Sequence, residues 1–275
     1  MKNFKVGIQL FSVRDEMERD MDATLAKIKE IGYDYVEPAG YFGKSADEFK
    51  ALLDKHGLTA ISVHQGPQDF WRDAETNINY LKKIGAKYCA IPWYSVEEFK
   101  ERFDETMEKF TSLGKMLKEN GIQLLYHNHD FEFQKIDGEY IIDKMYKTIP
   151  ADILQPEFDT CWVNYGGEDP AKFLAKYADR KIDVVHLKDF VCQGFVKGPV
   201  YGLIGEGGNE GDNSGESEFK FKPVGYGVQN FASILESCEK IGAEYLIVEQ
   251  DQWYDEDPFE CAKKSREYLK NTFGI

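Results

Sequence analysis

Short apolar runs alternate along the chain with longer stretches in which apolar residues recur every three or four positions. Val6-Gly7-Ile8-Gln9-Leu10-Phe11 predicts a first strand, and Met21, Leu25 and Ile28 share one face of a helix from Met21 to Glu30. From there one phrase recurs: a helix end, a glycine, then a short apolar strand. It is found at Ile31 to Glu37, Gly57 to Val63, Ile84 to Ala90, Gly121 to Leu125 and Ile241 to Ile247. Glycine just past a helix suits a left-handed cap, and short, largely apolar strands between helices fit a parallel sheet covered on both faces. Asp152 to Phe158 and Ile182 to His186 bring the strand count to eight. Eight strands alternating with helices over roughly 250 residues predict a closed (β/α)8 TIM barrel, an α/β fold with residues 1–275 as a single domain.

The intervening helices are expected at Ala46 to Lys55, Ala74 to Lys83, Val96 to Glu119, Tyr140 to Lys147, Pro170 to Tyr177, Gln229 to Lys240 and Pro258 to Lys270. Ser95 ahead of Val96-Glu97-Glu98, and Asp169 ahead of Pro170, read as start signals. One interval breaks the rhythm. Residues 190–228 hold a Gly-rich run (Gly205 to Gly211) and an acidic, serine-bearing run (Asp212 to Glu218), without hydrophobic periodicity. A long loop after strand seven emerges on the C-terminal face of a barrel, so it reads as a lid-like insertion.

Polar residues collect where these strands end. The strand from Ile122 closes in His127-Asn128-His129, two imidazoles one residue apart and therefore on the same side of an extended chain. Reading the other strand ends adds Gln9 and Ser12, Glu37, His64 and Gln65, Trp93 and Tyr94, Asp159 and Trp162, His186, Lys188 and Asp189, and Glu249, Gln250 and Asp251. Of five histidines, only His56 falls on a helix. Imidazoles and carboxylates from strands five to eight, gathered on one rim, form the mixed nitrogen and oxygen donor set that binds a divalent ion. Trp71, Trp93, Trp162 and Trp253 lie just beyond strand ends, where a flat aromatic face can stack on a sugar ring.

Composition narrows the partners. With 49 acidic and 34 basic residues the formal charge is −15, which opposes a nucleic-acid backbone. No run approaches the ~20 apolar residues of a membrane span, and the N-terminus lacks a secretory pattern, so the expected location is cytoplasmic. The five cysteines are scattered without CxxC spacing, against a disulfide framework or a thiolate zinc site.

Tyr126-His127-Asn128-His129-Asp130-Phe131-Glu132-Phe133, Phe158-Asp159-Thr160, His186-Leu187-Lys188-Asp189 and Val248-Glu249-Gln250-Asp251 together resemble the xylose-isomerase-like barrel superfamily of sugar isomerases, epimerases and dehydratases, and inosose dehydratases in their His-rich strand five. The resemblance implies a divalent metal, Mn2+ first and Co2+, Zn2+ or Mg2+ as alternatives, held by a strand-five residue with Asp159, His186 and Glu249. His127 is the strand-five ligand in this reading, and the local alignment permits His129. Lys188 and Glu132 would hold substrate hydroxyls, with His64, Trp93, Trp162 and Asp189 as further substrate contacts. Where ketose 3-epimerases close strand five with Glu, this chain presents His127, which removes one of two opposed carboxylates and favours elimination or isomerisation over 3-epimerisation.

The expected activity is therefore a metal-dependent isomerase, epimerase or dehydratase acting on a sugar, keto-sugar or cyclitol through an enediolate. Glu249 is the expected base, His127 or His129 handles a second proton, and Lys188 balances the oxyanion. Two alternatives stand beside it: a non-catalytic sugar-binding barrel, and a metal-dependent nuclease like the AP endonucleases of the same superfamily. The expected partner is a small-molecule sugar or cyclitol, with neither nucleic acid nor membrane, and self-association into a homo-oligomer is left open.

Overall fold

The computed structural model describes residues 3–193 and 218–275. Eight parallel strands run β1 (Lys5–Gln9), β2 (Tyr35–Glu37), β3 (Thr59–Ala60), β4 (Tyr88–Ile91), β5 (Gln123–His127), β6 (Leu154–Asp159), β7 (Val184–Leu187) and β8 (Tyr245–Val248). Except between β3 and β4, each pairs with its chain neighbour, and β8 returns to β1 through Lys5↔Tyr245 to Ile8↔Val248. Between β3 and β4 the amides of Tyr88 and Ala90 donate to the carbonyls of Ile61 and Val63, and Gln65 donates back to Ala90, which closes the cylinder. The barrel expected from the repeating phrase is present.

The glycines of that phrase do what the spacing implied. Gly32, Gly57, Gly85 and Gly242 each end a helix in the left-handed region, with φ from 63° to 107°. Ser95 and Asp169 cap their helices through Glu98 N and through Ala171 N and Lys172 N.

Several boundaries differ from the periodicity. The fourth-strand approach is one helix, Pro67–Ile84, kinked at Asp73; the polar run from Gln68 to Asn77 hid its first half. The helix expected over Val96 to Glu119 divides into Val96–Glu101 and Phe103–Glu119 at Arg102, because Phe99, Phe103, Met107 and Phe110 keep helical spacing across the break. Short helices at Arg14–Arg19 and Thr160–Tyr165 were not anticipated. The interval after β7 begins and ends as an antiparallel hairpin, Asp189–Gln193 against Glu218–Lys222. Phe190, Phe219 and Phe221 of this hairpin pack on Cys161 and Trp162, so its edges are apolar and ordered rather than featureless. The Gly-rich and acidic runs, and with them the lid reading, lie outside the described residues.

Strand parity sorts the core into two compartments. Leu124 and Tyr126 of β5, Val185 and Leu187 of β7, and Leu246 and Val248 of β8 face the helices. Leu125, Val184, Tyr245 and Ile247 face inward with Ile61, Tyr88 and Ala90 and fill the lower barrel. The same inward series continues upward as His127, His186 and Glu249, so each strand changes from apolar to polar at about the same height. No described helix is long and apolar enough to cross a membrane.

Candidate metal centre and active-site cavity

Two residues apart on a strand means the same side, and this rule builds the upper barrel in pairs. Glu157 and Asp159 lie at the end of β6, His186 in β7 with Lys188 just after it, Glu249 and Asp251 after β8, and His127 ends β5 with His129 two residues beyond. All eight are buried.

The upper set is His127, Asp159, His186 and Glu249, whose ligand-capable atoms lie within 4.8 Å of one another. His127 Nε2 is 3.5 Å from Asp159 Oδ2 and 3.6 Å from Glu249 Oε2, and His186 Nδ1 is 3.0 Å from Glu249 Oε2. Asp159 divides its work. Oδ1 caps the helix that follows, accepting from Cys161 N and Trp162 N, which leaves Oδ2 for the barrel mouth. Asn128 Oδ1 accepts from Asp159 N and fixes that turn.

The fit to a metal can be judged on the donors themselves. His127 Nδ1 and Nε2 are buried without a hydrogen-bond partner among the described residues. Buried polar atoms are rarely left so, and two nitrogens with two carboxylates form a donor set suited to a first-row divalent ion. The residues present therefore fit the group that the resemblance implies.

Lys188 supplies the positive charge. Its ammonium is 2.9 Å from Asp159 Oδ2, 2.9 Å from Glu249 Oε2 and 3.0 Å from Asp251 Oδ1, and it lies over the Trp162 ring at 5.2 Å. Burial acts against the charge, but Asp159, Asp251 and Glu249 outweigh it and hold the amine well above its ordinary value. Burial likewise acts against Glu249 ionisation, and Lys188 with the two imidazoles overcomes it, so Glu249 is held well below the usual carboxylate range. Asp251 is pushed up to about 6, by burial first. His129 is pushed well down by burial, then by His127 and Lys188, and is a neutral imidazole.

Below lies a second group. His186 Nε2 is 2.6 Å from Glu37 Oε2, which also accepts from Gln9 Nε2 at 3.0 Å, and His64 Nε2 is 2.8 Å from Glu157 Oε2. Burial would raise Glu37, yet His64 and His186 hold it well below its ordinary value; burial and the Glu37 charge push Glu157 well up. Glu157 was not singled out from the sequence. The signal was available, since Asp159 pointing inward requires Glu157 to do the same.

A cavity of about 250 Å3 opens above, lined by Phe11, Ala39, His64, Pro92, Trp93, His127, His129, Lys188, Glu249 and Asp251. It is smaller than the ~300–1,000 Å3 typical of drug-sized ligands and suits one small ring. Of the expected substrate contacts, His64 and Trp93 reach it. Glu132 is fully buried behind, accepting from Tyr126 Oη at 2.6 Å and His129 N at 2.8 Å, so it positions His129. Trp162 is fully buried under the hairpin. Asp189 turns away: its carboxylate accepts from the amides of Phe190, Gly225, Gly227 and Gln229. A Cβ on Gly227 would come 2.3 Å from Asp189 Oδ1, so that loop needs glycine. The apolar wall of Phe11, Ala39 and Pro92 was not read from the sequence, because single apolar residues past a strand carry no signal there.

The family model described as Xylose isomerase-like TIM barrel matches residues 25–272. The chain belongs to that family. Among relatives of this xylose isomerase-like barrel, an inosose dehydratase of Klebsiella pneumoniae is 30% identical over 94% of this chain and 92% of its own length. An inosose dehydratase of Clostridium beijerinckii is 24% identical over 94% and 91%. Among solved structures, a sugar phosphate isomerase/epimerase from Parabacteroides distasonis superposes with a TM-score of 0.78 at 22% identity, covering 98% of this chain and 94% of the other. At that identity the likeness is one of fold.

Proposed function

We propose that this xylose isomerase-like barrel is a divalent-metal-dependent enzyme that removes the α-proton of a keto-sugar or keto-cyclitol and forms an enediolate, leading to dehydration or isomerisation. The observation that carries the reading is the meeting of His127, Asp159, His186 and Glu249 at the floor of a small cavity, from four different strands. The relatives named inosose dehydratase favour the dehydration branch.

A bound divalent ion, with Mn2+ as the first candidate, would supply Lewis acidity toward a substrate carbonyl, with His127, Asp159, His186 and Glu249 as its holders. Glu249 contacts His127, His186 and Lys188 through Oε2, which leaves Oε1 for the substrate proton. Its acidity in the resting site makes it a weak base until Lys188 turns toward the oxygen of the developing enediolate. That turn also stabilises the oxyanion. Neutral His129 at the cavity wall is placed to exchange the second proton. In dehydration, the proton leaves the α-carbon to Glu249, the β C–O bond breaks, and a proton from an acid such as Lys188 or a histidine carries the hydroxyl away as water. Phe11 and Trp93 supply an apolar face against which one side of a ring can lie, while hydroxyls meet the polar wall.

The test is α-proton exchange in D2O across a panel of keto-sugars and keto-inositols, with metal-stripped and reloaded protein. Exchange that is lost on chelation and restored by Mn2+ or Co2+ supports the reading. Sugar binding without exchange, by protein that retains no metal, would make the barrel a binding protein instead.

A further inference from the structure

Phe11 and Asp251 both line the cavity, and one further side chain grips the two of them. Arg14 Nη1 donates to Phe11 O at 3.0 Å and to Asp251 O at 2.9 Å, the second across 237 residues of chain. Its guanidinium carbon stands 4.1 Å from the centroid of the Phe11 ring and 4.7 Å from that of Trp253, so the cation contacts both rings. Trp253, expected from the sequence to offer a sugar a flat face, meets this cation.

The place of the grip matters because the sheet has stopped there. The ladder between β1 and β8 ends at Ile8↔Val248. On the β7 side Glu249 N still donates to Leu187 O at 3.1 Å. On the β1 side two side chains take over: Ser12 Oγ accepts from Gln250 N at 3.0 Å, and Arg14 bonds Asp251 O. The segment that carries Glu249 and Asp251 is therefore stitched to the turn that carries Phe11. Asp251 Oδ1 in turn meets Lys188 Nζ at 3.0 Å, and Lys188 Nζ meets Glu249 Oε2 at 2.9 Å.

The choice of arginine is informative. In a chain of net charge −15, the side-chain hydrogen bonds of Arg14 among the described residues run to main-chain carbonyls and not to a carboxylate. What the position uses is a planar donor that stacks on rings while bonding in its own plane, which a lysine ammonium cannot do.

We propose that Arg14 is a positioning residue: it sets the separation between the apolar wall at Phe11 and the Asp251–Lys188 pair. It thereby governs how firmly a substrate ring is held and how well Lys188 is aimed at the developing oxyanion. That aim rests on the proposed function, whereas the clamp between the two loops does not.

Arg14→Lys and Arg14→Met, loaded with Mn2+ and selected for folding by circular dichroism, are assayed for α-proton exchange from a keto-inositol in D2O. Each is expected to lose about 10–100-fold in kcat, the scale of a misplacement near ~1 Å, and to raise KM. On an Asp251→Asn background the same substitutions should leave kcat nearly unchanged, because the link they act through is already cut, while the rise in KM persists. The full kcat loss on that background, or wild-type kinetics in either variant, overturns the proposal. Amide deuterium uptake reads the clamp without any substrate. Arg14→Lys should take up deuterium faster at residues 9–13 and 249–254 and at the wild-type rate elsewhere. Unchanged uptake there overturns the clamp, and faster uptake across the whole barrel makes Arg14 a residue of general stability and overturns it too. Wild type that exchanges no proton from keto-inositol, or from the wider panel, overturns the proposed function and the aiming role together, and leaves the clamp to be judged on uptake.

Discussion

The two mouths of the barrel are built from the same eight strands and carry opposite electrostatics. At the N-terminal mouth Lys5 pairs with Glu244, Lys87 donates to Tyr245 Oη at 3.2 Å, Tyr88 Oη donates to Asp183 Oδ2 at 3.0 Å, and Lys181 reaches Asp183 at 2.9 Å. Lys5 and Glu244 remain 39% and 40% exposed, so water shares the solvation of these charges. At the C-terminal mouth Glu37, Glu157, Asp159, Glu249 and Asp251 are buried with one ammonium, Lys188, and four imidazoles, His64, His127, His129 and His186. Solvated pairs cost little and contribute little, whereas buried unequal charge destabilises the fold and is retained where chemistry needs it.

The largest expected difference between the mouths is in turnover. Glu249→Gln should lower α-proton exchange by about 10^2–10^4-fold, the usual worth of a general base. Unchanged exchange on a substrate that wild type turns over would remove the C-terminal mouth from the chemistry.

Lys188→Met comes next. It leaves Asp159, Glu249 and Asp251 facing one another without their ammonium, and metal-free protein should lose about 3–5 kcal/mol in urea unfolding. Added Mn2+ should recover part of the loss. Equal stability of the two proteins would mean that Lys188 is not the countercharge.

Glu132 offers a pH signature. Burial pushes it up to about 7 from 4.5, so the folded state holds a proton that the unfolded state releases over that window. Its contribution is fully present below about pH 4.5 and is lost as pH rises through 7, amounting to about 3 kcal/mol. Asp251, raised to about 6, slopes the same way, so the informative quantity is wild type minus Glu132→Gln. That difference should fall from pH 4.5 to 7, and a flat difference would mean Glu132 is ionised throughout.

The smallest effects belong to the other mouth. Tyr88→Phe should cost about 0.5–1.5 kcal/mol, one hydrogen bond, and Lys5→Ala less. Neither should change exchange or metal binding. A change in either would mean that the two ends communicate and would blunt the contrast.

Much of this was legible before any fold was known, at particular residues. The Gly32, Gly57, Gly85 and Gly242 caps gave the strand rhythm, and His186-Leu187-Lys188 announced two polar side chains on one side of a strand that otherwise reads as apolar. Glu157 could have been found by the same parity and was passed over because it sits mid-strand beside Pro156. The hairpin after β7 was missed for another reason. Its two halves, Asp189–Gln193 and Glu218–Lys222, pair across a long separation, so neither half carries a local turn signal.

The sequence alone determined the barrel, the inward and outward faces, and the residue types at each strand end, because caps and two-residue parity are properties of neighbours in the chain. The tertiary structure decided which of those residues meet. It placed His127 rather than His129 against Asp159 and Glu249, set Glu37 beside His186 across 149 residues, and turned Asp189 into a loop anchor. Such meetings depend on the stagger between strands and the closure of the cylinder, which no local pattern of apolar and polar residues encodes.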